Sequence, residues 1–122
     1  MHLNQVTVSV TEMKRSITFY KGLGLQLIVE NDHYARFLVE NGATFSIHKA
    51  ERVASSTVVY FECDDLDARC AQLQAQGFVF KQEPVDQPWL WREAYLDDPD
   101  RNPICLYFAG EMRTNPPWRL PA

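Results

Sequence analysis

The sequence has no run of lysine and arginine long enough to follow a phosphate backbone, and its 12 Lys+Arg against 16 Asp+Glu give a formal net charge of −4. Nucleic acid is therefore excluded as an expected partner. No apolar stretch approaches the ~20 residues that a membrane span requires, so no membrane partner is expected either. The opening Met1-His2-Leu3-Asn4-Gln5 has neither the basic start nor the apolar centre of a secretory signal, and the expected location is the cytoplasm. Cysteine is scarce and odd in number. Cys63, Cys70 and Cys105 match no zinc-ligand spacing and read as reduced, mostly buried thiols. What is present is ordinary globular composition, 46% hydrophobic and 23% charged over 122 residues, which excludes disordered, collagen-like and coiled-coil chains. A chain of this length forms one domain with a core and room for one small pocket.

The hydrophobic pattern is written twice. Val6, Val8 and Val10 alternate with Gln5, Thr7 and Ser9, the period of a half-buried strand. Thr11 stands where it can cap a helix whose Met13, Ile17 and Tyr20 share one face, with Gly22 and Gly24 to end it. Residues 25–29 then read as a strand, and 34–40 and 44–48 as a hairpin turned at Asn41-Gly42. The same order restarts with a strand over 57–63 and a helix capped by Asp64, with Leu66, Cys70 and Leu73 on its apolar face. Gly77 closes that helix, and strands follow at 78–80, 91–96 and 104–108, the last two joined by a tight turn. A shift of 53 positions pairs Val6 with Val59, Thr11 with Asp64, Met13 with Leu66, Ile17 with Cys70, Tyr20 with Leu73 and Gly24 with Gly77. Each half is predicted as βαβββ, a helix on one face of a four-stranded sheet, which makes the fold class α+β.

This doubled unit resembles the vicinal oxygen chelate superfamily of glyoxalase, bleomycin-resistance and extradiol dioxygenase proteins. Four stretches carry the resemblance: the alternating 5–10, the Phe19-Tyr20-Lys21-Gly22-Leu23-Gly24-Leu25 segment, the 61–67 segment, and the turn Asp98-Pro99-Asp100-Arg101-Asn102-Pro103 running into Ile104. The resemblance implies one domain over residues 1–110, built from modules at about 1–50 and 57–109 whose curved sheets form a cavity, and usually a homodimer. It implies no single chemistry, because the fold carries lyases, dioxygenases and binding proteins alike. Family members usually place a glycine where this chain has Arg101, so the turn must be made by a less permissive residue.

The resemblance also implies a divalent-metal site in the metal-dependent members. Its ligand positions fall here on Gln5, Val58, Cys105 and about Ser46, and only the first is a good donor. Gln5, His48 and Cys105 are the alternative metal candidates, and Ni, Zn, Mn or Fe the alternative cofactors to none. Strand alternation places Gln5, Thr7 and Ser9 on the face away from the helix, with Tyr34, Arg36, Leu38 and Glu40 on the hairpin and Val58, Tyr60 and Glu62 in the second half. Cys105 and Tyr107 follow on the last strand. The expected ligand wall is Gln5, Arg36, His48, Tyr60, Glu62, Trp91, Glu93, Tyr95, Cys105 and Tyr107, aromatic bodies with sparse polar groups. Trp89 and Trp91 can stack a flat or cationic molecule, and Arg36 and Arg92 can each hold a carboxylate. Glu62 and His48 are the candidate general bases. The expected function is metal-free binding of a small aromatic or amphipathic molecule in the manner of bleomycin-resistance proteins, the alternative being a glyoxalase-like lyase or dioxygenase-like metalloenzyme. The tail at 112–122, with Asn115-Pro116-Pro117-Trp118, is expected to be irregular, with Trp118 laid back on the body or a partner subunit.

Overall fold

The computed structural model describes residues 1–54 and 56–121. In chain order the elements are β1 (Gln5–Val10), α1 (Met13–Leu23), β2 (Gln26–Glu30), β3 (Tyr34–Leu38) and β4 (Thr44–Lys49). They are followed by β5 (Val59–Glu62), α2 (Leu66–Ala75), β6 (Gln82–Asp86), β7 (Arg92–Asp97) and β8 (Pro103–Phe108). One sheet runs β1-β4-β3-β2 and the other β5-β8-β7-β6, with β1–β4 and β5–β8 parallel and the remaining pairs antiparallel. Two tandem βαβββ modules of α+β class are thus present. The chain divides into two compact units, Met1–Ser56 with Asp98–Asn102 and Thr57–Asp97 with Pro103–Ala122. No helix among the described residues is long and apolar enough to cross a membrane.

In the first unit the period-2 pattern resolves as read. Val8, Val10, Ala35, Phe37, Phe45 and Ile47 are buried with Met13, Ile17 and Tyr20 of α1. The helix start differs from the expectation. Glu12, not Thr11, is the cap, its carboxylate accepting the Arg15 N–H at 2.7 Å. Thr11 is diverted because its hydroxyl and N–H both donate to Asp100, a stronger, charged acceptor. Gly22 stays helical, and Gly24 alone ends α1 with φ of +114°. The turn Asp98–Asn102 packs into this unit around one carboxylate. Asp98 accepts from Tyr20 Oη at 2.7 Å, from the Asp100 and Asn102 N–H groups at 2.8 Å each, and from the Asn102 amide at 2.8 Å. The same amide donates to the Ser9 carbonyl at 2.9 Å. Arg101 makes the turn in the left-handed region, with φ of +66°.

In the second unit Leu66, Cys70 and Leu73 of α2 are buried, as are Val59, Ala94, Leu96, Ile104 and Leu106 of the sheet. The strand expected at 78–80 does not form, and β6 begins at Gln82. The helix end consumes that stretch: with Gly77 at φ +100°, the Phe78 N–H returns to the Leu73 carbonyl at 3.0 Å. Sheet pairing resumes where the Lys81 N–H meets the Tyr95 carbonyl at 2.8 Å. Pro84 falls at the register shift between Gln82 and Val85 on this edge strand, a place where a missing N–H is tolerated. The tail is also more ordered at its start than expected. Gly110–Arg113 form a short 3-10 helix, and beyond the Pro116-Pro117 pair Trp118 stays 56% exposed instead of lying on the body.

Candidate functional site

The face of the second sheet opposite α2 collects aromatic side chains, because alternate residues of three adjacent strands fall on it. Register places Tyr60 beside Cys105 and Glu62 beside Tyr107, and on the other flank Glu93 beside Tyr107 and Tyr95 beside Cys105. Trp91, just before β7, stacks on Tyr107 with centroids 4.7 Å apart and planes at 20°. Tyr60 meets both rings edge-on, at 5.6 Å from Tyr107 and 6.1 Å from Trp91. Cys105, Tyr107 and Ala109 form the buried floor, with Val58, Trp91 and Tyr95 packed against it, while Tyr60 is 45% exposed. The face therefore has a fixed aromatic interior and an open aromatic rim.

Its polar groups are few and held. Glu93 is only 2% exposed; it accepts from Trp89 Nε1 at 3.0 Å and from Tyr95 Oη at 3.4 Å. Burial pushes the Tyr95 and Tyr107 hydroxyls above the usual phenol range, with the Glu62 carboxylate adding to the effect on Tyr107. Burial likewise pushes the Cys105 thiol up to about 12, so it is neutral at ordinary pH and behaves as packing rather than as a nucleophile. Glu62 Oε2 accepts the N–H groups of Ala109 and Gly110 at 2.9 Å each, and Oε1 lies 3.8 Å from the Arg113 guanidinium. This carboxylate anchors the start of the tail. Trp91 Nε1 donates to the Met112 carbonyl at 3.4 Å, so the 3-10 helix borders the aromatic face.

Arg92 falls on the other side of its sheet, beside Phe108. Its guanidinium is taken by Asp67, at 2.9 and 3.1 Å, and by Asp86 at 3.0 Å. It forms one wall of a shallow groove of about 270 Å³ with Asp64, Asp65 and Asp67. A ligand carboxylate would find that arginine already neutralised.

The remaining expected site residues lie on the first unit's sheet, on the face opposite α1. Gln5 sits beside Thr44 and accepts its hydroxyl at 2.7 Å, whereas exposed His48 sits beside Ser9, their Nε2 and Oγ 3.1 Å apart. Gln5 and Ser9, the position opposite His48, are four positions apart on β1, a rise of roughly 13 Å, and each side chain is engaged by its own strand neighbour and not by the other. Arg36 Nε donates to Tyr34 Oη at 2.9 Å, and Tyr34 Oη and Ser46 Oγ share a bond of 2.8 Å. Tyr34 was placed on this face by alternation but not picked out as functional. The only signal for it was its position two residues before Arg36. Among the described residues no three His, Cys, Asp or Glu side chains gather closely enough to hold a metal ion. With Val58, buried Ser46 and the neutral Cys105 thiol at three of the four family ligand positions, the residues present do not fit the metal set.

Comparison with known proteins matches this geometry. The family model described as Glyoxalase/Bleomycin resistance protein/Dioxygenase superfamily matches residues 2–106. The uncharacterized protein YraH of Bacillus subtilis (strain 168) is 31% identical over 127 residues, covering 88% of this chain and 98% of the relative. A glyoxalase/bleomycin resistance protein/dioxygenase from Nocardioides superposes with a TM-score of 0.80 at 21% identity, covering 99% of this chain and 90% of that one. The bleomycin resistance determinant encoded on transposon Tn5 gives 0.77 at 17% identity, covering 88% of this chain and 98% of that chain. A bleomycin-binding protein solved in complex with bleomycin gives 0.72 at 17% identity, again covering 88% and 98%.

Proposed function

The chain belongs to the glyoxalase/bleomycin resistance protein/dioxygenase superfamily, and from that premise we propose that it is a metal-free small-molecule binding protein of the bleomycin-resistance type. Its ligand is a flat aromatic or amphipathic molecule received on the Tyr60–Trp91–Tyr107 face, and it works as a homodimer. The observation that carries the reading is the pairing of a pre-stacked aromatic floor with the exposed Tyr60 ring, beside the deeply buried Glu93 carboxylate. A planar ligand needs such a surface already assembled, since each aromatic contact contributes about 0.5–1.5 kcal/mol beyond its area. The Glu93 carboxylate, accepting from Trp89 Nε1 and Tyr95 Oη, fixes two aromatic side chains beside that surface. The bleomycin-binding relative supports the ligand class. The donor set, with Val58, Ser46 and the neutral Cys105 thiol at three of the four family ligand positions, supports binding without a metal.

Calorimetric titration of chelator-treated protein with bleomycin and with a panel of planar aromatic cations tests this. Saturable binding of one molecule per subunit, weakened by about tenfold in Tyr60→Ala, is the expected result. Binding that appears only after loading with Ni, Zn, Mn or Fe(II) would overturn it.

A further inference from the structure

A second binding feature lies on the sheet of the first unit and is independent of the aromatic reading. Arg36 is half-buried in the middle of β3. Its Nε is committed to Tyr34 Oη at 2.9 Å, and that oxygen is held in turn by Ser46 Oγ at 2.8 Å and by the Gln5 side chain. Ser46 is wholly buried, so this anchor cannot swing away. The guanidinium carbon lies 5.4 Å from the centroid of the Tyr34 ring. One edge of the guanidinium is thus fixed, and its two Nη groups are presented in a set plane.

Arg15, Arg92 and Arg113 each stand against a carboxylate, at 3.3, 2.9 and 3.8 Å, whereas among the described residues no carboxylate pairs with Arg36. Its neighbours by register are Val29 on β2 and, on the other flank, Ser46 and then Thr7, and none of the three is acidic. A half-buried guanidinium held in a set orientation among hydroxyls, with no carboxylate partner among the described residues, has the chemistry to receive an anion.

We propose that Arg36, pinned by Tyr34 and Ser46, binds a carboxylate of a small-molecule ligand through its two Nη groups. Two parallel N–H···O bonds match the planar carboxylate better than a tetrahedral phosphate. Tyr34 is a positioning residue here. The bond to Ser46, followed by those to Arg36 and Gln5, holds its hydroxyl below the usual phenol range against the opposing effect of burial.

The test is ¹⁵N NMR of the arginine side chains during titration with sodium acetate, with sodium chloride at matched ionic strength and inorganic phosphate as parallel arms. The Arg36 Nε–H and Nη signals shift saturably with acetate in the wild type and not in Arg36→Gln. Arg36→Lys weakens acetate by about tenfold, because an ammonium lacks the fork. Tyr34→Phe weakens it by roughly 2- to 10-fold by freeing the guanidinium, and has no further effect in the Arg36→Lys background. Circular dichroism checks folding of each variant, and should Arg36→Gln fail to fold, Arg36→Lys and Tyr34→Phe carry the test. A response no different from chloride, unchanged affinity in Arg36→Lys, or phosphate saturating before acetate would each overturn the assignment.

Discussion

Removing one oxygen from the core of the first unit probes how the Asp98–Asn102 turn is held. Tyr20 is fully buried, and its ring packs on Phe45 at 4.6 Å, Phe19 at 5.0 Å and Phe37 at 5.9 Å. Tyr20→Phe keeps those contacts and deletes only the hydroxyl that donates to Asp98 at 2.7 Å. Asp98 retains three donors, from the Asp100 N–H, the Asn102 N–H and the Asn102 amide, so it is weakened and not orphaned. A hydrogen bond to a charged group contributes about 1.5–3 kcal/mol, and with the remaining donors in place the loss should be about 2 kcal/mol. For a chain of this size that lowers Tm by roughly 6–10 °C. Urea and thermal denaturation of the two proteins measure it, and a double-mutant cycle with Asp98→Asn separates the pairwise energy from the rest. A change under about 0.5 kcal/mol would show that the buried pair is not what fastens the turn.

Other consequences are equally concrete. Arg101→Gly should stabilise by about 1 kcal/mol in denaturant titrations, because φ of +66° is strained for a side chain and free for glycine. Cys70 and Cys105, whose thiols burial pushes up to about 11 and about 12, should resist a disulfide reagent at pH 8 in the native state and react once unfolded. Tyr20, Tyr95 and Tyr107 have hydroxyls raised by burial, so the unfolded chain releases their protons first. Their contribution is complete below about pH 10, the ordinary phenol value, and is lost as pH climbs above it, so stability measured by denaturation should fall across that range.

The repeat was legible because it is written in period and punctuation. The shift of 53 positions that aligned Gly24 with Gly77 and Met13 with Leu66 also aligns the observed N-cap positions, Glu12 and Asp65, each one residue beyond the expected Thr11 and Asp64, although Asp65 makes no side-chain cap bond. Strand alternation sorted Val8 and Val10 from Thr7 and Ser9, and it grouped Tyr60, Glu93, Tyr95, Cys105 and Tyr107 on one face. What alternation cannot encode is which partner a polar group finds. Thr11 had every attribute of a cap, yet Asp100, 89 positions away, outcompetes the helix N-terminus for it. Glu62 was a candidate base on residue type, but its carboxylate is engaged by the backbone of Ala109 and Gly110, a contact made only when the tail folds back. Arg92 was set beside a ligand carboxylate, and the one-residue step from Trp91 put it on the opposite face against Asp67 and Asp86. Tyr34 passed unnoticed because a phenol becomes a polar hub only through neighbours on other strands.

The reading of the aromatic face is tested most directly by a Trp-fluorescence titration of chelator-treated protein with a planar aromatic cation, run on wild type, Trp91→Phe and Tyr60→Ala. Saturable quenching in the wild type, reduced in amplitude in Trp91→Phe, where Trp89 and Trp118 still emit, and weakened by about tenfold in Tyr60→Ala, is predicted from the loss of one stacking contact. Quenching of equal affinity in Tyr60→Ala, or none without added divalent metal, would contradict a metal-free aromatic site.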